Sequence, residues 1–134
     1  MENFALILVT AFKKFFQNYT NFSGRSTLSD YWLVELDFLL LGIISGILSY
    51  FIPAIIYILL LFDFVSIIPS LAITVRRLHD IGKSGKRIFM AFIPIAGPII
   101  LLVYELTKSD GDNQYGPAPK IEYEENVYYP PEQV

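Results

Sequence analysis

The sequence contains no cysteine. Disulfide bonds and thiolate metal sites are therefore excluded, and the redox compartment leaves no trace in the chain. Histidine occurs once, at His79. A single imidazole without thiols is a poor ligand set for a catalytic metal, so no metal or cofactor is expected. Charge is absent over a long stretch: from Tyr31 to Val75 the only charged residues are Glu35, Asp37 and Asp63. A soluble amphipathic helix of that length would carry a polar face, and almost none exists here. The first apolar run, 4–12, follows Glu2 and stops at Lys13-Lys14. Without a basic start it does not read as a cleavable signal peptide.

Apolar residues fill the space instead. Of 134 residues, 54% are hydrophobic and 17% charged, against ~45–50% and ~25% in soluble domains. The expected fold class is all-α and membrane-integral, with a membrane domain over 1–120. Residues 1–17 place Phe4, Leu8, Phe12 and Phe15 at helical spacing, with Lys13, Lys14 and Gln17 at the end. The run is too short to span a bilayer and predicts an amphipathic interfacial helix; a helix packed on the rest of the protein is the plainer alternative. Ser29 is the expected N-cap of the next helix, with Asp30 in its first turn. Tyr31-Trp32 supply an interfacial aromatic pair.

Three transmembrane helices are expected, at 31–51, 52–75 and 88–104. The first has the length of a ~30 Å hydrocarbon core. Its Gly42 and Gly46 form a small-residue pair for close helix packing, internal or between copies. The second contains Pro69, which neighbouring groups must compensate. The third, broken by Pro94, Gly97 and Pro98, is short enough to be kinked or re-entrant. Residues 121–134 read as a flexible acidic tail.

Eight of the ten Lys and Arg residues precede the first span or lie in 76–87: Lys13, Lys14, Arg25, Arg76, Arg77, Lys83, Lys86 and Arg87. The positive-inside rule then places the N-terminus and the 76–87 loop in the cytoplasm and the tail outside; a re-entrant third segment would return the tail to the cytoplasm.

Charges inside a membrane are the best pointers to function. Glu35 and Asp37 enter from the same side as Arg76 and Arg77, so an ion-pair cluster clamping the first two spans is expected, with a transport or binding role as the sharper alternative. Asp63 lies ~18 Å along a helix from Arg76, out of pairing range. It would be protonated, bonded to another span or exposed to a water-filled cavity. His79-Asp80 is either an acid–base pair or a loop hydrogen-bond network; the network carries more weight. The run 82–84 mimics a phosphate-binding loop, but Arg77 replaces its upstream glycine. Residues 110–121 mimic a calcium loop, but Tyr115 replaces the glycine and Ile121 the bidentate acid.

Four blocks occur in order: Phe22-Ser-Gly-Arg25, Asp30-Tyr-Trp32, Arg76-Arg-Leu-His-Asp80 with Gly82 and Ser84-Gly85, and Asn113-Gln-Tyr-Gly-Pro117 with Pro119. In these the chain resembles the domain of unknown function 805 family, small YhaH-like bacterial inner-membrane proteins. The resemblance spans about Phe16 to Lys120. It implies a multi-pass inner-membrane protein with no established reaction. One departure is Lys86-Arg87, where such relatives carry tryptophans after Ser-Gly.

The expected function is a non-enzymatic membrane interaction or accessory module with a basic cytoplasmic loop. The alternative is a small proton- or cation-coupled transporter or channel-like oligomer using the intramembrane carboxylates. Expected partners are the lipid bilayer, including anionic headgroups, and a second copy or another membrane protein. No nucleic-acid partner is expected.

Overall fold

The computed structural model describes residues 2–119, and no strand is formed among them. The helices are α1 (Glu2–Gln17), α2 (Leu28–Phe51), α3 (Ile55–Asp80) and α4 (Ala96–Leu106), with a 3-10 stretch Gly85–Phe92 before α4. The expected tail at 121–134 lies outside the described residues.

α2 begins two residues earlier than the Ser29 cap would place it. Thr27 is the N-cap: its hydroxyl accepts from the Asp30 amide at 3.0 Å, and the Asp30 carboxylate accepts from the Thr27 amide at 3.1 Å. This reciprocal box satisfies two amide groups that a helix start leaves over. The Ile52–Ala54 turn reverses the chain, with Ile55 and Ile56 amides donating to the carbonyls of Ile52 and Pro53. α3 runs on through Arg76–Asp80, so the first part of the expected loop is helix. The stop comes at Gly82 (φ +68), whose amide donates to His79 O while Lys83 donates to Leu78 O. These are the two bonds of a Schellman motif, which favours glycine at that position.

Two spans are supported by length and exposure together. α2 and α3 are long and apolar enough to cross a bilayer, and only 11% and 22% of their most apolar stretches are buried. A soluble core helix would be mostly covered. Instead Leu39, Ile43, Ile47, Tyr57, Leu61 and Phe64 face outward, which suits hydrocarbon and not water.

Pro69 sits inside α3 and is buried. It has no amide to give to Val65 O, four residues back. Tyr19 fills that role: its hydroxyl donates to Val65 O at 2.6 Å.

α1 lies against the flanks of α2 and α3. Phe15 meets Phe38 at 5.4 Å between ring centroids, and Phe12 stacks on Phe62 at 6.2 Å. Ala11 and Phe15 are buried there with Tyr31, Val34 and Ile73. Phe4, Leu6 and Val9 remain exposed.

The third apolar segment, expected as a kinked span or a re-entrant one, is broken in two. Residues 88–104 are not one helix: the 3-10 stretch ends at Phe92 and α4 starts at Ala96. Each leg is about 16 Å long, roughly half a hydrocarbon core. Gly85 opens the hairpin beside Val75 and His79. Glu105 and Thr107 close it against Trp32 and Arg77. Both ends therefore lie at the same end of the bundle, and the segment does not cross it. The tip is a γ-turn centred on Ile95 (φ 65, ψ −61), with the Ala96 amide on Pro94 O at 2.7 Å. This is the rare, strained hand of that turn. A Cβ on Gly97 would lie 1.7 Å from Met90 O, so the two legs pack backbone to backbone there.

Candidate functional site

The end of the bundle that holds 76–87 is closed by a polar cap made from three separated segments: 18–27, 76–84 and 105–117. Each is placed by local backbone chemistry. Gly24 (φ +78) turns the chain so that Arg25 points back at α3. The Schellman stop at Gly82 presents the last turn of α3. A Cβ at Gly82 would lie 2.8 Å from Asp110 Oδ2, so the same glycine admits the third segment.

Asp80 is fully buried at the centre. Its Oδ1 accepts from Arg25 Nε at 3.1 Å, with Arg25 Nη2 at 3.0 Å. Its Oδ2 accepts from Arg77 Nη1 at 2.5 Å and from the Ser109 hydroxyl. Two guanidiniums on one carboxylate leave an excess positive charge, which backbone carbonyls solvate. Arg25 donates to the carbonyls of Asp110 (2.7 Å), Gly111 (2.7 Å), Gly116 (3.0 Å) and Asp80 itself (3.1 Å). Arg77 donates to the carbonyls of Glu105 (3.3 Å) and Thr107. A buried charge group is tolerable only when satisfied this fully.

The neighbours extend the same net. Arg76 donates to Ser26 Oγ at 2.9 Å, and the Ser26 amide donates to Arg76 O. His79 Nδ1 is 3.0 Å from Gly24 O, and its ring stacks on Tyr115 at 3.9 Å. Asn113 donates to His79 O, and Trp32 Nε1 to Glu105 O. At the rim, Arg87 donates to the Tyr104 hydroxyl at 2.9 Å.

The expected ion-pair cluster is thus built with different acids. Arg77, His79 and Asp80 come together, joined by Arg25. Glu35 and Asp37 make no ion pair with Arg76 or Arg77 among the described residues. Glu35 is exposed. Asp37 faces α1 beside Phe12, in an open apolar groove, and its buried Oδ2 has no hydrogen-bond partner. The geometric reason is helix phase: Arg77 and Asp80 are one turn apart and face the chain's returning third segment. Asp63 is exposed on α3. Ser66, one turn on, is buried and faces inward. Gly42 and Gly46 are exposed with open space where a Cβ would stand, so neither is used inside this chain.

Glu105 sits at the end of α4. Burial pushes its carboxyl above the usual range and the nearby Glu35 adds to this, while the Tyr31 hydroxyl and Arg77 oppose it.

Chemically the Asp80 centre of the cap is saturated. Both Asp80 oxygens are engaged, so no lone pair faces a substrate proton. The histidine is held by a carbonyl and a stacked ring. No group of three or more His, Cys, Asp or Glu residues forms a metal cage among the described residues.

A family model described as "Protein of unknown function (DUF805)" matches residues 19–117. The chain belongs to this family. The matched stretch starts at Tyr19, under Pro69, and ends at Pro117, where the cap closes. The chain is 36% identical over 110 residues to inner membrane protein YhaI of Escherichia coli (strain K12), covering 78% of this chain and 91% of that protein. Inner membrane protein YhaH of the same strain is 30% identical over 120 residues, covering 81% and 95%. No solved structure matches. The DUF805 relatives are named as inner membrane proteins, and the exposed apolar helices agree with a bacterial inner-membrane placement.

Arg25, Ser109 and the carbonyls of 105–116 were not among the site residues expected from sequence. Their signal was present in the Gly-Arg and Asn-Gln-Tyr-Gly-Pro blocks, which sequence reasoning uses as family marks and not as partners.

Proposed function

We propose that this protein is a non-enzymatic interaction module of the inner membrane. Two helices span, the 85–106 hairpin is re-entrant, and a rigid polar cap faces the cytoplasm. The observation that carries this reading is Asp80, whose two oxygens are consumed in holding three chain segments together. A carboxylate so used builds a surface and leaves none of its own chemistry free. The surface offered is basic: Lys86 and Arg87 are exposed at its rim, suited to anionic headgroups or an acidic partner. With both hairpin ends at the cap, residues 105–117 share the side of 76–87, and the positive-inside count then places that side in the cytoplasm. A photocrosslinker placed at Arg87 in native membranes tests the docking role. Adducts lost on Lys86→Ala/Arg87→Ala, with insertion intact, support it; an unlabelled cap overturns it. A cytoplasm-active reporter fused after Val134 is expected to be active, and inactivity would restore three spans.

A second reading is a small cation- or proton-coupled oligomer. It is favoured by Asp63 and Asp37, neither of which makes a hydrogen bond inside the described chain, and by the unused Gly42 and Gly46 face. Asp63→Asn would abolish flux in reconstituted vesicles under this reading and leave docking untouched under the first.

A further inference from the structure

Arg76 is the one cap arginine without a carboxylate. It is 6% exposed. Its Nε is held by Ser26 Oγ, and its Nη1 by the carbonyls of Asn18 (3.4 Å) and Asn21. Nη2 makes no hydrogen bond, yet it is not sealed from access. The ion pairs among the described residues are Lys14–Asp30, Arg25–Asp80 and Arg77–Asp80. A buried guanidinium with Nη2 unused among the described residues is an incomplete arrangement, because buried charges are normally paired.

That guanidinium lines a cavity of about 140 Å³ between the end of α1, the 18–26 segment and α3. Lys14 and Asp30 share the wall, and Phe15 and Ile73 form an apolar floor. Asp30 is the nearby carboxylate, but its oxygens are taken by Lys14 at 3.3 Å and the Thr27 amide at 3.1 Å. Arg25, the other cation in the lining, is committed to Asp80. Among the described residues of the lining, Lys14, Arg25 and Arg76 are basic and Asp30 is the one carboxylate. The cavity sits at the level of Tyr31-Trp32, where headgroups meet hydrocarbon.

We propose that this cavity binds one phosphate group, taken from a phospholipid headgroup or from a free phosphate ion. The free Nη2, with its two N–H groups, can donate to phosphate oxygens, Lys14 supplies a point charge, and the apolar floor accepts the first carbons of a lipid. The site rests on the membrane placement proposed above, but not on docking by Lys86 and Arg87.

The test uses the full chain, purified in detergent and stripped of lipid. Three probes are titrated by native mass spectrometry: dioctanoyl phosphatidic acid, dioctanoylglycerol and inorganic phosphate. Phosphatidic acid is expected to bind one to one and dioctanoylglycerol not to bind. Arg76→Gln and Lys14→Gln should each weaken phosphatidic acid by at least about tenfold; in the latter the released Asp30 also competes for Arg76. Lys14 is partly exposed, at 39%, so that variant keeps the test open if Arg76→Gln fails to fold. Lys86→Ala/Arg87→Ala should bind as wild type, which separates this site from the rim. Inorganic phosphate binding as tightly as the lipid supports the site with a free-ion source; much weaker binding supports it with a headgroup source. Equal binding of dioctanoylglycerol, or wild-type affinity in Lys14→Gln, would overturn the proposal.

Discussion

Tyr19 supplies the hydrogen bond that Pro69 takes away. The hydroxyl reaches Val65 O at 2.6 Å, across the gap between the end of α1 and the middle of α3. A lone carbonyl in hydrocarbon is costly, so Tyr19→Phe should destabilise the folded protein by about 1 kcal/mol, less than its cost in an apolar solvent. Pro69→Ala restores an amide to the same carbonyl. In the Pro69→Ala background, Tyr19→Phe should then cost close to nothing. A double-mutant cycle by steric trapping or denaturant titration in detergent measures this coupling; additive effects would show that the two residues are independent.

Asp80→Asn leaves two buried guanidiniums without a carboxylate. Removing one partner of a buried ion pair typically costs about 3–5 kcal/mol. The loss should appear first as release of the 105–117 segment, read as faster tryptic cleavage after Lys108. Arg25→Lys should behave similarly though more mildly, since an ammonium cannot span the three carbonyls of Asp110, Gly111 and Gly116 that the planar fork reaches.

The hairpin tip holds a β-branched residue where glycine would be at ease. Ile95→Gly should relieve about 1–2 kcal/mol of backbone strain, raising the melting temperature. Gly97→Ala should do the reverse, because its Cβ would collide with Met90 O. If Ile95→Gly instead lowers stability, the exposed isoleucine is contributing more through lipid or partner contact than its backbone costs.

Glu105 carries a carboxyl raised chiefly by burial. A raised acid favours the folded state while protonated: its contribution is full below the unfolded carboxyl range and is lost as pH rises through the folded value. Glu105→Gln should therefore be more stable than wild type at neutral pH, with the difference closing as pH falls towards 4. Melting curves of both proteins from acid to neutral pH check this, and a gap independent of pH would refute it.

Much of this was legible in the chain. Sparse charge between Tyr31 and Val75 gives the two spans, and Pro53 gives their turn. The third apolar run was legible as a break, since Pro94, Gly97 and Pro98 crowd one segment. Its return to the starting end was one of two alternatives left open, kinked or re-entrant. The choice depends on carbonyls of 105–116 meeting Arg25 and Arg77, and backbone acceptors have no signature in side-chain patterns. The same limit explains why Glu35 and Asp37 drew attention as partners for the arginines. Sequence shows which acids are close along a helix; the helix phase and the returning segment decided in favour of Asp80.

The cap also has a consequence in time. Arg25 is made early, and its acceptor on Gly116 is 91 residues later. At roughly 5–20 residues per second, synthesis separates them by roughly 5–18 s. Until residues 105–116 emerge, Arg25 and Arg77 lack the carbonyls that hold them, and the cap cannot close. Closure thus comes late in synthesis: a chain stalled before Glu105 leaves Arg25 and Arg77 without any of these carbonyls.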